Sequence, residues 1–282
     1  MIGIGVVSGV HAQRVEVQQL GIDQWPSCPE QSLTLPARRF GGRRRWPRTE
    51  GDRSRMDEVS ISYRGDFQAT ITIERPDTLN SLAASTLTAL ARAAAEVSAR
   101  GDSLKVVLLQ GRGRAFSSGL DLRMLEPDCG VPVRDIVRGG QTVMEPFDAI
   151  PAVTVPVLRG AVGGGGVVLA SACDLRIAAE DTYFSLPEVE LGVPVRWGGV
   201  PRLVREMGPS LARELMLTCR SFTAEEAKAA GFLTRVVPPA ELEDAVRELA
   251  DTLCGKPARA LLAVKRSIAE AVEMMTPARD GL

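Results

Sequence analysis

Apolar residues stand at every second position in residues 59–63 and 69–73, on either side of Gly65-Asp66, which predicts two strands joined as a hairpin. Residues 82–99 switch to helical spacing, with leucines on one stripe among alanines and a stop at Gly101. The run 105–110 is apolar without alternation, the pattern of a strand covered on both faces. A helix over about 133–150 and a strand over 153–158 follow. Four consecutive glycines, Gly163 to Gly166, then lead into residues 167–173, which continue as a buried helix, and a strand over 175–179 comes next. From about residue 200 the pattern is mostly helical. Thr223-Ala-Glu-Glu226 reads as a capping box for a short helix ending before Gly231, and residues 242–254 and 259–274 are amphipathic. Strand–helix–strand order first and helices last predicts an α/β layer with a mostly helical C-terminal part.

Residues 1–55 lack this order. Four prolines and an arginine-rich run from Arg38 to Arg48, with nine arginines against five acids, predict a flexible basic N-terminal extension. Met56 directly precedes the first strand pattern, so the extension also reads as upstream sequence from a misassigned start, with Met56 the true first residue. The remaining 25 basic and 30 acidic residues form no clustered basic face, which argues against a nucleic-acid partner. With 282 residues, 45% of them hydrophobic, the chain can bury a sizeable core.

The single histidine, His11, lies in the extension, so the core has no imidazole for a Ser-His-Asp or Cys-His arrangement and no metal site is expected. Five widely spaced cysteines without a C-x-x-C pair read as reduced thiols of a cytoplasmic protein. No apolar stretch is long enough to span a bilayer, and the apolar first residues lack a charged leader, so neither a membrane association nor a signal peptide is expected.

The glycine run then becomes the main chemical clue. Glycines let a ligand approach the backbone closely, and free N–H groups at a helix start attract developing negative charge. A second glycine turn, Arg114-Ala-Phe-Ser-Ser-Gly-Leu-Asp-Leu122, also follows an apolar strand, so donors from two turns could converge on one carbonyl oxygen. Rival loops do not fit. Val168 falls where a dinucleotide-binding G-x-G-x-x-G needs its third glycine, and no Gly-Lys-Ser/Thr follows for a P-loop. Ser117 and Ser118 lie outside a G-x-S-x-G and have no histidine base, so they read as polar loop residues.

Taken in order, Arg75-Pro-Asp-Thr-Leu-Asn-Ser-Leu82, Gly113 to Leu122, Gly160 to Gly166, Cys173-Asp-Leu-Arg-Ile177, Phe184-Ser-Leu-Pro-Glu-Val-Glu-Leu-Gly192, Gly199-Val-Pro-Arg-Leu203 and Ala227-Lys-Ala-Ala-Gly-Phe-Leu233 resemble the crotonase (enoyl-CoA hydratase/isomerase) superfamily from about residue 59 to the C-terminus. The resemblance implies a crotonase-like ββα superhelix over residues 56–282, an acyl-CoA thioester substrate, no cofactor beyond the CoA of that substrate, and a homotrimer or hexamer. It implies an oxyanion hole made by the backbone N–H groups of Leu120 and Gly165, with Glu188 as the acid/base. CoA binding would fall to Leu79, Ser81, Leu82, Leu120, Asp121 and Leu122, largely through backbone atoms, with Arg75, Arg114 and Arg123 as candidates for the phosphates. Asp121 also reads as the cap of a short helix. Glu190, two residues past Glu188, would face away if the segment is extended and so reads as structural.

Two departures narrow these expectations. Val168 occupies the position where hydratases of the family carry a second glutamate, and a valine neither holds nor activates water. The aspartate of the dienoyl-CoA isomerase pattern is matched by Arg196. A single-glutamate double-bond isomerase is the family reaction that survives. Hydration, thioester hydrolysis, dehydration and a non-catalytic acyl-CoA binder stay open beside it. The chain also stops at Leu282, where many relatives continue for about two helices, which predicts a more open site and weaker subunit contacts.

Overall fold

A computed structural model of the chain describes residues 58–125 and 133–275. The anticipated basic extension, Met56, Cys28 and Cys129 lie outside the described residues. The hairpin forms as β1 (Val59–Arg64) and β2 (Gln68–Ile73), antiparallel with Arg64 opposite Gln68. Helix α1 (Ala84–Ser98) begins two residues later than its leucine stripe suggests. The reason is that Leu82 is already committed to the turn at Gly119–Asp121: its N–H donates to Gly119 O (2.8 Å) and its C=O accepts from Asp121 N (3.1 Å).

Strands β2, β3 (Val106–Gly111), β4 (Val153–Leu158), β6 (Ile177–Ala179) and β9 (Arg235–Val237) run parallel, giving a six-stranded sheet in the order β1-β2-β3-β4-β6-β9. The unbroken apolar run of β3 splits between the two faces by simple alternation. Val107 and Leu109 join the large core with α1, while Val106 and Leu108 join Val153, Val155 and Val157 under Leu242, Val246 and Ala250 of α7 (Leu242–Cys254). Strands β3 and β4 are therefore covered on both sides, which is why their sequences show no polar face.

A three-stranded sheet of β5 (Ala161–Gly163), β7 (Tyr183–Ser185) and β8 (Phe222–Thr223) was not anticipated, nor was β9. Strands of two or three residues are too short to display a period. The helices α2 (Val133–Asp148), α3 (Gly165–Ser171), α4 (Gly199–Met207), α5 (Pro209–Thr218), α6 (Ala224–Ala229) and α8 (Ala258–Met275) complete the fold. Helix α3 starts inside the glycine run and is wholly buried. The capping box forms by half: Thr223 Oγ1 accepts from Glu226 N (3.1 Å), but the Glu226 carboxylate turns to Arg220 instead of back to the cap. Cys173, Cys219 and Cys254 are free thiols. No helix among the described residues is long and apolar enough to cross a membrane.

Candidate active site

The loop before α1 is built around Asn80, fully buried, whose carboxamide accepts from Arg75 N (3.0 Å) and donates to Arg112 O (3.0 Å) and Ala115 O (2.8 Å). Leu79 and Asn80 both adopt positive φ (52° and 57°), a strain held in place by these bonds. Ser117, also fully buried, donates through Oγ to Asn80 O (2.8 Å), and Ser118 N donates to Leu79 O (2.8 Å). Both serines thus fasten one loop to the next, as polar loop residues should.

That second loop is pressed against the glycine run. Ser117 pairs with Val162 in a parallel bridge, and Gly163 N donates to Ser117 O (2.9 Å). A Cβ on Gly119 would lie 2.6 Å from Gly163 O and 3.3 Å from Gly165 N, and one on Gly166 would lie 2.7 Å from Ser117 O. Only glycine permits this approach of two backbones. The turns carrying Leu120 and Gly165 therefore lie side by side. In the Leu82 ladder the bonds go to the residues flanking Leu120, so its own amide points to the other side and donates to no acceptor among the described residues. The amide of Gly165, the first residue of α3, is likewise unpaired, as the first N–H groups of a helix are.

Glu188 follows β7 by way of Leu186 and Pro187. The strand is anchored by Phe184, fully buried, which stacks on Phe222 (centroids 5.1 Å apart) and meets Phe232 edge-on (6.0 Å). Leu186, also fully buried, completes the anchor, so Glu188 emerges at a defined place. A Cβ on Gly164 would lie 2.8 Å from its Oε1, which puts the carboxylate against the residue that precedes Gly165. Oε2 is shut off from solvent and has no hydrogen-bond partner. Burial raises the Glu188 pKa above the ordinary carboxylate range, offset only in part by a backbone hydrogen bond. A largely desolvated carboxylate of raised basicity can accept a proton, and unpaired amides can hold a developing oxyanion.

The other anticipated residues separate into distinct roles. Val168 is buried, its methyl group 2.7 Å from where a Cβ on Gly199 would be, so apolar packing fills that position. Glu190 is exposed. Arg196 is half-buried and makes no ion pair among the described residues. Asp121 accepts from Arg123 N (3.3 Å), capping the turn at residues 122–125, and its carboxylate is held well below the usual range by the Arg123 and Arg75 guanidiniums. Arg75 is consumed structurally: it contacts Asp121 (3.2 Å), Ser81 Oγ (3.1 Å) and the Ser81 carbonyl. Arg114 is exposed with no ion pair among the described residues. Leu82 is fully buried with its backbone groups used internally, Ser81 is nearly so, Leu79 and Leu120 are half-buried, and Leu122 is exposed. Among the described residues no group of three or more His, Cys, Asp or Glu is placed to hold a metal ion.

A cavity of about 940 Å³ opens elsewhere, between the end of α3 and α8, lined by Cys173, Asp174, Arg205, Lys265 and Ile268 among others. None of Leu120, Gly165 or Glu188 reaches it, and its largest side chains are apolar or already ion-paired, as Lys265 is to Asp174 (2.7 Å).

Two glycine turns with unpaired amides thus lie next to a desolvated carboxylate, on a chain of ββα units. Residues 68–280 match the family profile for enoyl-CoA hydratase/isomerase, and the chain belongs to that family. It is 33% identical over 208 residues to crotonyl-CoA hydratase of Syntrophomonas wolfei, covering 73% of this chain and 78% of that one. It is 34% identical over 213 residues to carnitinyl-CoA dehydratase of Salmonella agona, covering 75% and 79%. Among solved structures, the enoyl-CoA hydratase of Bacillus anthracis superposes with a TM-score of 0.72 at 31% identity, covering 77% of this chain and 84% of that one. A Thermobifida fusca protein in complex with CoA gives a TM-score of 0.69 at 30% identity, covering 77% and 86%. The crotonase-like fold read from the motifs is therefore the fold observed.

Proposed function

We propose that the protein processes an enoyl-CoA by moving its double bond, with Glu188 as the single acid/base and the amides of Leu120 and Gly165 as the oxyanion hole. The α-proton of a β,γ-unsaturated thioester passes to Glu188, and the C–H electron pair moves into a dienolate whose negative charge rests on the thioester oxygen. The two amides hold that oxygen. Each preorganised donor of this kind is worth about 3–4 kcal/mol of transition-state stabilisation. Glu188 then returns its proton at the γ-carbon, leaving the α,β-unsaturated product. No cofactor is needed, because the thioester carbonyl is the electron sink. Arg114 is the free cation closest in sequence to the hole-forming loop and is the choice for a CoA phosphate. Assembly as a homotrimer or hexamer remains part of this reading.

The observation that carries the proposal is the lone carboxylate: Glu188 is desolvated with Oε2 unpaired, while Val168 fills the position of a second acid with buried methyl groups. Hydration needs a water held and polarised on the β-carbon, and a valine offers it no hydrogen bond. Hydration is nevertheless the second reading, because the similar proteins named above are hydratases and a dehydratase. Purified protein given a β,γ-enoyl-CoA and crotonyl-CoA separates the two. Isomerisation without hydration, lost in Glu188→Gln, supports the proposal. Hydration of crotonyl-CoA as the faster reaction overturns it, and tight acyl-CoA binding without turnover points to a binder.

A further inference from the structure

Trp197 lies at the site but has no part in the chemistry above. Its backbone φ is +63°, a strained conformation for a bulky residue that persists only where surrounding contacts impose it. The side chain is 6% exposed and wedged between two glycines. A Cβ on Gly165 would lie 2.3 Å from indole Cζ3 and 2.9 Å from Cη2; one on Gly140, in the middle of α2, would lie 1.8 Å from Cε2 and 2.0 Å from Nε1. The indole thus spans the whole gap between α2 and the first turn of α3. Consecutive residues of the glycine run meet consecutive functions: Gly164 touches the Glu188 carboxylate and Gly165 touches the indole. Nor can the loop swing freely. Arg202, 3% exposed, donates from Nη1 to the carbonyls of Trp197 (3.1 Å) and Gly198 (3.3 Å), and its Nη2 binds the Asp148 carboxylate at the end of α2.

We propose that Trp197 is the end wall of the acyl pocket and confines the protein to short-chain acyl-CoA thioesters. The inference rests on the site assignment made above: an acyl group whose carbonyl sits at the Gly165 amide and whose α-carbon faces Glu188 meets the indole within its first few carbons. A longer chain requires the indole to leave a slot whose two walls touch it without a gap, against the Arg202 bridge to α2.

Calorimetric titration of the full chain with butyryl-, hexanoyl- and decanoyl-CoA tests this, using Glu188→Gln so that binding is read without turnover. Decanoyl-CoA binds about tenfold or more weakly than butyryl-CoA, the scale of discrimination a hydrophobic pocket achieves. Adding Trp197→Leu reverses that order, and Trp197→Phe, which keeps an aromatic ring if the leucine variant does not fold, gives an intermediate ratio. Decanoyl-CoA binding as tightly as butyryl-CoA, or an unchanged ratio in both variants, overturns the wall while leaving the site assignment intact. Binding of none of the three thioesters overturns the site assignment and the wall with it.

Discussion

Gly164→Ala tests the placement of Glu188 most directly. The added methyl would lie 2.8 Å from Glu188 Oε1, 3.5 Å from its Cδ and 3.8 Å from Pro187 Cδ, so the carboxylate must withdraw. Misplacing a catalytic group by about 1 Å costs on the order of a hundredfold in rate. The substitution also carries a backbone penalty, since Gly164 sits at φ 42° and ψ −115°, and this costs about 1–3 kcal/mol of stability. Gly208→Ala supplies the control: Gly208 is also at positive φ (77°), but its added methyl meets nothing within 4 Å, and it lies between α4 and α5. The two variants therefore share a stability loss and differ in catalysis. The assay is exchange of the α-protons of butyryl-CoA with deuterated water, followed by NMR, which reports enolate formation whatever reaction comes after it. Exchange falls about a hundredfold in Gly164→Ala and stays near the wild-type rate in Gly208→Ala. Wild-type exchange in folded Gly164→Ala would refute the position of the base.

The proposed role of Glu188 also predicts a pH dependence. As the base it acts ionised, so exchange declines as pH falls through its raised pKa, with the acidic limb above the ordinary carboxylate value of about 4.3. The same shift bears on stability with the opposite benefit. Because the folded-state pKa is raised, protonation favours the fold, and the contribution is lost as pH rises through that pKa. Glu188→Gln should then melt at a higher temperature than wild type at neutral pH, with the difference vanishing in acid; a lower melting temperature at neutral pH would contradict the burial. Phe184→Ala removes the fully buried ring that anchors β7 and costs about 3–5 kcal/mol in denaturant unfolding. A loss under about 1 kcal/mol would show that β7 is held by something else.

The parts of the fold that were legible in the chain are those with enough residues to display a period. The β1–β2 hairpin, α1, β3, β4 and α7 all follow from alternation or helical spacing, and α7 matches its predicted span residue for residue. The three-residue strands β5 and β9 were invisible for the opposite reason, β7 showed only through the Phe184-Ser-Leu-Pro187 motif, and β5 in particular is the strand whose end delivers the glycine run. The start of α1 was misplaced because Leu82 is apolar for two reasons at once: it fits the helical stripe, yet its backbone pairs with Leu120. At the proposed site, the ordered motifs point to Glu188 and Val168. Arg75 was offered as a phosphate ligand on its charge alone, and contacts to Ser81 and Asp121, distant in part along the chain, consume it. Trp197 was passed over, although a tryptophan inside the glycine-bearing stretch from Arg196 to Gly199 was a visible signal of close packing.

By itself the sequence determined the class of fold, the family, the residue proposed as acid/base and the absence of a carboxylate at residue 168, because these depend on which residues occur in which order. Tertiary structure alone decided that the amides of Leu120 and Gly165 stand free beside each other, that Glu188 is desolvated with Oε2 unpaired, and that an indole closes the gap between α2 and α3. Those properties belong to no single segment. A free amide is defined by what does not approach it, a raised pKa by the low-polarity matter around it, and a pocket wall by two glycines from distant helices meeting one ring.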